Sequence, residues 1–282
     1  MINSFGIMQG RLMPKYNGRY QAHPVGYWKE EFHLAQTIGI DLIEFILDFN
    51  ESAGNPLLSN KGISEISNMV QKTGVGVRSI CADYFMEAPL HSTNEKIVKQ
   101  SIEVLQNLLT NSSALSVTDI VIPCVDQSSL QSAEDIERFV NNLTPLLADA
   151  SRYNVNLCLE TDLAPQQFLN LLNRFDSDKI KVNYDTGNSA SLGYDPLEEF
   201  ATYGKWISDI HIKDRKLNGG SVVLGEGDTN FASFFTALSG IKYEGFFIMQ
   251  VYRDEQGVDI FVKQFEWFKN LIKNEFNSNH TS

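Results

Sequence analysis

No window of the chain approaches about 18 consecutive apolar residues, and no basic leader followed by a long apolar run opens it. A membrane span and a secretory signal are therefore not expected, and a soluble, cytoplasmic protein is. Cations are in the minority: 23 Lys and Arg stand against 35 Asp and Glu, for a net charge of −12. Without a local basic stripe such a chain repels a phosphate backbone, which argues against nucleic acid as a partner and for a small soluble ligand. Cysteine is scarce. Cys81, Cys124 and Cys158 are odd in number, show no C-x-x-C spacing and lie in or beside apolar strand-like runs, so they are expected to be reduced core thiols. No G-x-G-x-x-G turn follows the first strand, which removes the main signature of a doubly wound dinucleotide-binding sheet. Internal repeats beyond the β–α period and low-complexity linkers are also missing.

What is present is a chain of 282 residues with 43% hydrophobic content, enough for one large core. A single domain over 1–276 and a flexible tail over 277–282 are expected. Short β-like runs alternate with longer amphipathic ones, as parallel strands and crossover helices do. The predicted strands are Phe5–Met8, Leu42–Leu47, Val77–Cys81, Asp119–Pro123, Asn156–Glu160, Lys181–Asp185, Ile207–Ile212 and Phe246–Val251. Between them, Ile63, Ile66 and Val70, then Ile102, Leu105 and Leu109, then Phe139, Leu143 and Leu146, then Phe261, Phe265 and Phe268 recur at helical spacing. Ser92 to Glu95 has capping-box spacing, and Pro145 should interrupt its helix. Number and order suit a closed α/β barrel, a (β/α)8 TIM barrel.

Glu160, Asp185 and His211 stand at or near the ends of otherwise apolar strands, each one β–α unit from the next. Equivalent positions on neighbouring strands bring these side chains to one rim of a barrel, where two carboxylates and an imidazole suit one divalent ion such as Mn, Mg, Co or Zn. On the eighth strand Gln250 could close the site through its side-chain oxygen. Strand parity puts Asn183 on the face of Asp185, and Asp209 and Lys213 on that of His211. Glu44, mid-strand, is either a group lining or supporting the site or half of a buried ion pair. Taken singly, Glu160 and Asp185 could equally be helix N-terminal carboxylates and His211 a core histidine; their regular spacing favours the site.

With these strand ends in place, the chain resembles the xylose-isomerase-like barrel superfamily of sugar isomerases, epimerases and dehydratases. It is most similar to the L-ribulose-5-phosphate 3-epimerase and hexulose-6-phosphate isomerase-like group, through NLCLET at 156–161, NYDTGN at 183–188, HIKD at 211–214 and LGEGDTNF at 224–231. The resemblance covers nearly the whole chain and implies a metal held by Glu160, Asp185, His211 and a last-strand residue. In that group the last residue is a second Glu, and the two Glu flank the substrate and move its protons. Here it is Gln250, an amide that can bind a metal through oxygen but cannot act as a base near neutral pH.

The expected activity is thus a metal-dependent isomerase or epimerase of a sugar or sugar phosphate, with Glu160 removing a proton next to a carbonyl to give an enediolate. Return of that proton by the same carboxylate is an aldose–ketose isomerisation, which needs one base only. The alternatives are an inosose-type polyol dehydratase and a sugar-binding barrel without catalysis, the latter on the strength of Gln250. An endonuclease on such a barrel is disfavoured by the net charge. Lys213 is expected in the pocket, with Arg11, Asn188, Arg215, Glu226 and Arg253 as substrate-binding groups. A phosphate or carboxylate site is considered on the loops after the seventh and eighth strands, where Gly225-Glu226-Gly227 leads into a helix N-terminus; the same turn also forms without a ligand. Tyr16, Arg19, Tyr20 and His23 are a candidate lid or ordinary loop packing. His33 and His91 are read as surface residues and His280 as part of the tail; a homo-oligomer is compatible with the sequence.

Overall fold

The computed structural model describes residues 4–241 and 243–278. Eight parallel strands close into a barrel in chain order: β1 Phe5–Met8, β2 Leu42–Ile46, β3 Ser79–Cys81, β4 Asp119–Cys124, β5 Asn156–Thr161, β6 Ile180–Asp185, β7 Ile207–Ile212 and β8 Phe247–Met249. The expected (β/α)8 architecture is present, with every predicted strand in place and ends that differ by up to two residues. Closure comes from β1 pairing with β8, Gly6 opposite Ile248, as well as with β2.

Each strand is apolar on its outward face because a helix covers it there. Phe5 and Phe247 of neighbouring strands, for example, pack against Phe265 and Phe268 of the closing helix Val258–Ser278, Phe247 edge-on to Phe268 at 5.7 Å. Burying each such ring contributes roughly 1.5–3 kcal/mol, and these contacts fix the helix ring around the sheet. Helices start at side-chain caps, Ser59 and Ser132 among them, and among the described residues three end on left-handed glycines, Gly39, Gly74 and Gly193. Pro145 interrupts its helix as expected: Ala133–Leu143 passes through the 3-10 turn Thr144–Leu146 into Leu147–Tyr153. The capping-box reading at Ser92 needs correction, since Asn94 is the N-cap and accepts from Lys96 and Ile97, while Ser92 accepts from Asn94. The last helix runs to Ser278 and so includes 277 and 278, the first two residues of the expected tail; 279–282, with His280, lie outside the described residues.

The inward faces divide the barrel in two. From β8, β1, β2 and β3 come Ile248, Met8, Ile46 and Cys81, a small apolar cluster of their own, with Glu44 of β2 and Ser79 of β3 as its buried polar exceptions toward the strands' N-terminal ends. From β4 to β7 come Asp119, Cys158, Glu160, Asn183, Asp185, Asp209 and His211, all buried and polar or ionisable. All three cysteines are buried and unpaired, as expected. Among the described residues no helix is long and apolar enough to cross a membrane.

Candidate metal and active centre

Glu160, Asp185 and His211 meet at the C-terminal rim of the polar half. Asp185 and His211 sit opposite each other across β6 and β7, and one ligand atom from each of the three side chains falls within 4.8 Å of the others. All three are buried, His211 completely. Asp185 ends β6 and caps the helix Thr186–Leu192: its Oδ1 accepts from the amides of Gly187 at 2.9 Å and Asn188 at 2.8 Å, and its Oδ2 lies 3.4 Å from Lys213 Nζ. Gly187 is required here, because a Cβ would meet the Lys213 side chain at 2.7 Å. Thr186 and Lys213 clamp the two strand ends together, the Lys213 amide donating to Thr186 Oγ1 at 2.9 Å.

Two asparagines hold Glu160. Asn183 Nδ2 donates to Oε2 at 2.7 Å and Asn188 Nδ2 to Oε1 at 2.6 Å. The Asn188 amide is oriented by its other end, where Oδ1 accepts from Arg215 at 2.8 Å and Lys213 at 3.3 Å. Burial, and then the neighbouring Asp185 charge, pushes the Glu160 carboxyl well above the usual carboxylate range. It therefore exchanges a proton more readily near neutral pH than an exposed glutamate.

His211 connects this rim to the barrel interior. Its Nδ1 faces Asn183 Nδ2 at 3.0 Å and Glu160 Oε2 at 3.8 Å, and its Nε2 lies 2.8 Å from Glu44 Oε1, off the line of a good hydrogen bond. A proton on Nε2 faces the carboxylate, which leaves the Nδ1 lone pair toward Glu160 and Asp185. Glu44 and Asp209 are themselves close, each within 4.8 Å of the other and of His211 through one atom. Burial raises the Glu44 pKa to about 7 and that of Asp209 well above its ordinary value, and the Glu44 charge raises Asp209 further. Glu44 thus lies beneath His211, in a place compatible both with a supporting group and with one half of a buried ion pair.

The donor set fits a divalent ion on the chemistry of its groups: two carboxylates, an imidazole nitrogen with its lone pair directed among them, and an oxygen of Gln250. Gln250 follows β8 two residues after Ile248, the partner of His211 in the sheet. Its Nε2 donates to Gln21 at 3.1 Å, whereas its buried Oε1 has no partner.

Other expected residues are placed differently. Arg11 and Arg253 are buried and bind backbone: Arg11 Nε donates to Val251 O at 2.9 Å, and Arg253 Nη1 to Gly10 O at 2.8 Å and Nη2 to Met13 O at 2.5 Å. They join the loops after β8 and β1. Arg215 does stand at the rim on Asn188, but Glu226 is exposed. The Gly225–Thr229 turn is already filled, because the carboxylate of Asp214 accepts from the amides of Gly225 at 2.9 Å, Gly227 at 2.8 Å and Thr229 at 3.1 Å. A Cβ at Gly227 would collide with that carboxylate. In the first loop, Arg19 pairs with Asp48, Tyr16 donates to Glu51, Tyr20 lies under Arg11, and His23 is buried against Phe45 with its pKa lowered to about 4 by burial. Ordinary packing accounts for these contacts. His33 is exposed as read, but His91 is not: it is buried beside Phe139.

A family model described as the xylose isomerase-like TIM barrel matches residues 32–271. The chain belongs to that family. As a xylose isomerase-like barrel it is similar to L-ribulose-5-phosphate 3-epimerase UlaE of Shigella flexneri, 25% identical over 260 residues covering 88% of this chain and 92% of the relative. The solved structure of an L-ribulose 3-epimerase superposes with TM-score 0.78 at 16% identity, over 99% of this chain and 97% of that one. A D-allulose 3-epimerase from Methylomonas sp., in complex with D-allulose, gives TM-score 0.72 at 18% identity, over 95% and 96%. These solved structures share the fold, and the curated relative is a sugar phosphate epimerase.

The strand-end spacing located the three central residues, and parity located Lys213 and Asn183. The double role of Asn188 was not legible. Gln21 and Asp83, discussed below, were missed, although Ser79, Cys81 and Asp83 continue the same alternation.

Proposed function

We propose that this protein is a divalent-metal-dependent isomerase or epimerase of a small sugar or sugar phosphate. The observation that carries the reading is the Glu160 carboxyl, buried at the mouth of the barrel with a raised pKa and held on both oxygens by neutral amides. Such a group can take a proton from a carbon beside a carbonyl and hand it back, which is the step common to ketose epimerases and aldose–ketose isomerases. A divalent ion bound by Glu160, Asp185 and His211, with Gln250 Oε1, would supply Lewis-acid polarisation of that carbonyl. Asn183 and Asn188 fix the direction in which Glu160 points. Lys213 and Arg215, which meet at Asn188 Oδ1, place positive charge where an anionic substrate or its developing oxyanion would lie. The names of the similar proteins support a sugar substrate.

The test is exchange of a carbon-bound substrate hydrogen with deuterated water, across phosphorylated and free ketoses with added Mn. Exchange is expected in the wild type and should fall at least about 100-fold in Glu160→Gln, the usual size of a general-base effect. His211→Ala should lower metal affinity at least about tenfold. Undiminished exchange in Glu160→Gln would refute the base, and equal metal content in His211→Ala would refute the centre. An absence of exchange in the wild type would favour a sugar-binding barrel, the reading that the Gln250 amide suggests.

A further inference from the structure

Inverting a carbon centre requires a proton to leave from one face and arrive on the other, so an epimerase needs two groups on opposite sides of the substrate. Glu160 supplies one. Gln250 cannot supply the other, because a neutral amide has no proton to give or take near neutral pH.

The structure sets a different carboxyl on that side. Asp83 follows β3 and is partly exposed, and its Oδ1 accepts from Cys81 Sγ at 3.2 Å. Cys81 faces into the barrel, so this contact turns the Asp83 carboxyl back over the barrel mouth rather than out to solvent. Its Oδ2 accepts from Gln21 Nε2 at 2.8 Å, and Gln21 Oε1 in turn accepts from Gln250 Nε2 at 3.1 Å and from Arg11 at 2.8 Å. One amide thus separates Asp83 from the residue that stands in the last-strand position. The chain of contacts runs from β3 to β8 through Gln21 of the loop after β1, and in a barrel of eight strands β1 lies opposite β5, the strand of Glu160, so the Asp83 carboxyl is tied toward that opposite side although β3 itself stands two strands from β5.

The other carboxylates near this side are already engaged. Asp48 is paired with Arg19 and also accepts from the Asn50 amide, and Glu51 accepts from Tyr16. The direct partners of Asp83 are instead a neutral amide and a thiol, which hold it in place and favour its carboxylate form without pairing it with a cation. Burial, and secondarily the nearby Asp48, raises its pKa, in keeping with a group that both gives and takes a proton.

We infer that Asp83 is the second acid–base group, acting across the substrate from Glu160 and making the barrel an epimerase rather than a one-base isomerase. The step balances without any further reactant. Glu160 takes the proton from one face, the C–H electron pair passes into the enediolate, and Asp83 as the acid delivers its proton to the same carbon on the other face. The reverse reaction exchanges the roles.

This inference rests on the proposed function, and one experiment separates the two. Each epimer of a phosphorylated 2-ketopentose pair is incubated with the Mn-loaded protein in deuterated water, and deuterium incorporation and epimer formation are followed by NMR. In Asp83→Asn, which can still accept from Gln21, epimer formation should fall at least about 100-fold. The epimer whose hydrogen faces Glu160 should continue to exchange with retained configuration, within about threefold of wild type, while the other epimer becomes inert. Glu160→Gln, which removes the first base and also alters a carboxylate that would hold the metal, should lose exchange of both epimers. Retained epimerisation in Asp83→Asn would overturn the assignment, and so would equal loss of both exchanges in that variant, which marks a merely structural role. If the wild type itself exchanges neither epimer, nor any other ketose of the panel, the proposed function falls and this assignment with it.

Discussion

Cations on the two sides of the barrel mouth do different work. On the side of β1 and β8, Arg11 and Arg253 are desolvated and donate to backbone carbonyls, so their charge ties two loops together. Burial lowers the pKa of both guanidinium groups. On the side of β6 and β7, Lys213 and Arg215 are half-buried and converge on one amide oxygen, Asn188 Oδ1, whose nitrogen end holds Glu160. Residue type and loop position are alike on both sides. What differs is whether a backbone carbonyl or a functional side chain comes first within reach.

The largest effect expected from this contrast is on stability. Arg11→Met leaves the buried Val251 carbonyl without its donor and Gln21 with only that of Gln250, and should destabilise the fold by about 3 kcal/mol in urea unfolding, the cost of orphaning a group paired with a charge. A variant as stable as wild type would show that Arg11 is not a structural clamp. Smaller in free energy but specific to function, Arg215→Ala should raise KM for whichever ketose phosphate is turned over by about tenfold, in line with one charge-assisted contact, and leave unfolding within about 0.5 kcal/mol. An unchanged KM, or an equal rise for the unphosphorylated sugar, would remove Arg215 from anion recognition.

The effect that is smallest over any one pH unit concerns Glu31, which is completely buried and accepts from the amides of Gly10 at 2.7 Å and Leu12 at 3.0 Å on the structural side. Burial outweighs these bonds and raises its pKa to about 7 from 4.5. The folded state then binds a proton more tightly than the unfolded one, so the contribution of Glu31 is complete below about pH 4.5 and is lost as pH rises through about 7. The slope for one proton is at most about 1.4 kcal/mol per pH unit. Glu31→Gln should flatten unfolding midpoints measured between pH 5 and pH 8, and an unaltered slope would assign the titration elsewhere.

The fold was legible because a parallel barrel buries both faces of every strand, so largely apolar runs such as Phe5–Met8 and Leu42–Ile46 announce themselves. The polar exceptions within such runs, Glu160, Asp185 and His211, were legible for the same reason. The use of the loop residues was not. Whether Arg253 reaches a ligand or Gly10 O depends on where a loop nearly the whole chain away happens to pass, and no local pattern encodes that. The Gly225–Thr229 turn carried a true signal of an anion nest, but the anion proved to be Asp214, which lies earlier in the same loop.

That internal carboxylate has a kinetic side. A glycine-rich loop left empty would sample many conformations and lose them when substrate arrives, which costs ordering entropy at each encounter and slows productive docking. With Asp214 as a permanent tenant, the loop beside Lys213 and Arg215 is organised before any ligand arrives. Its contribution to binding is therefore set during folding, and an added phosphate ion would find the nest closed.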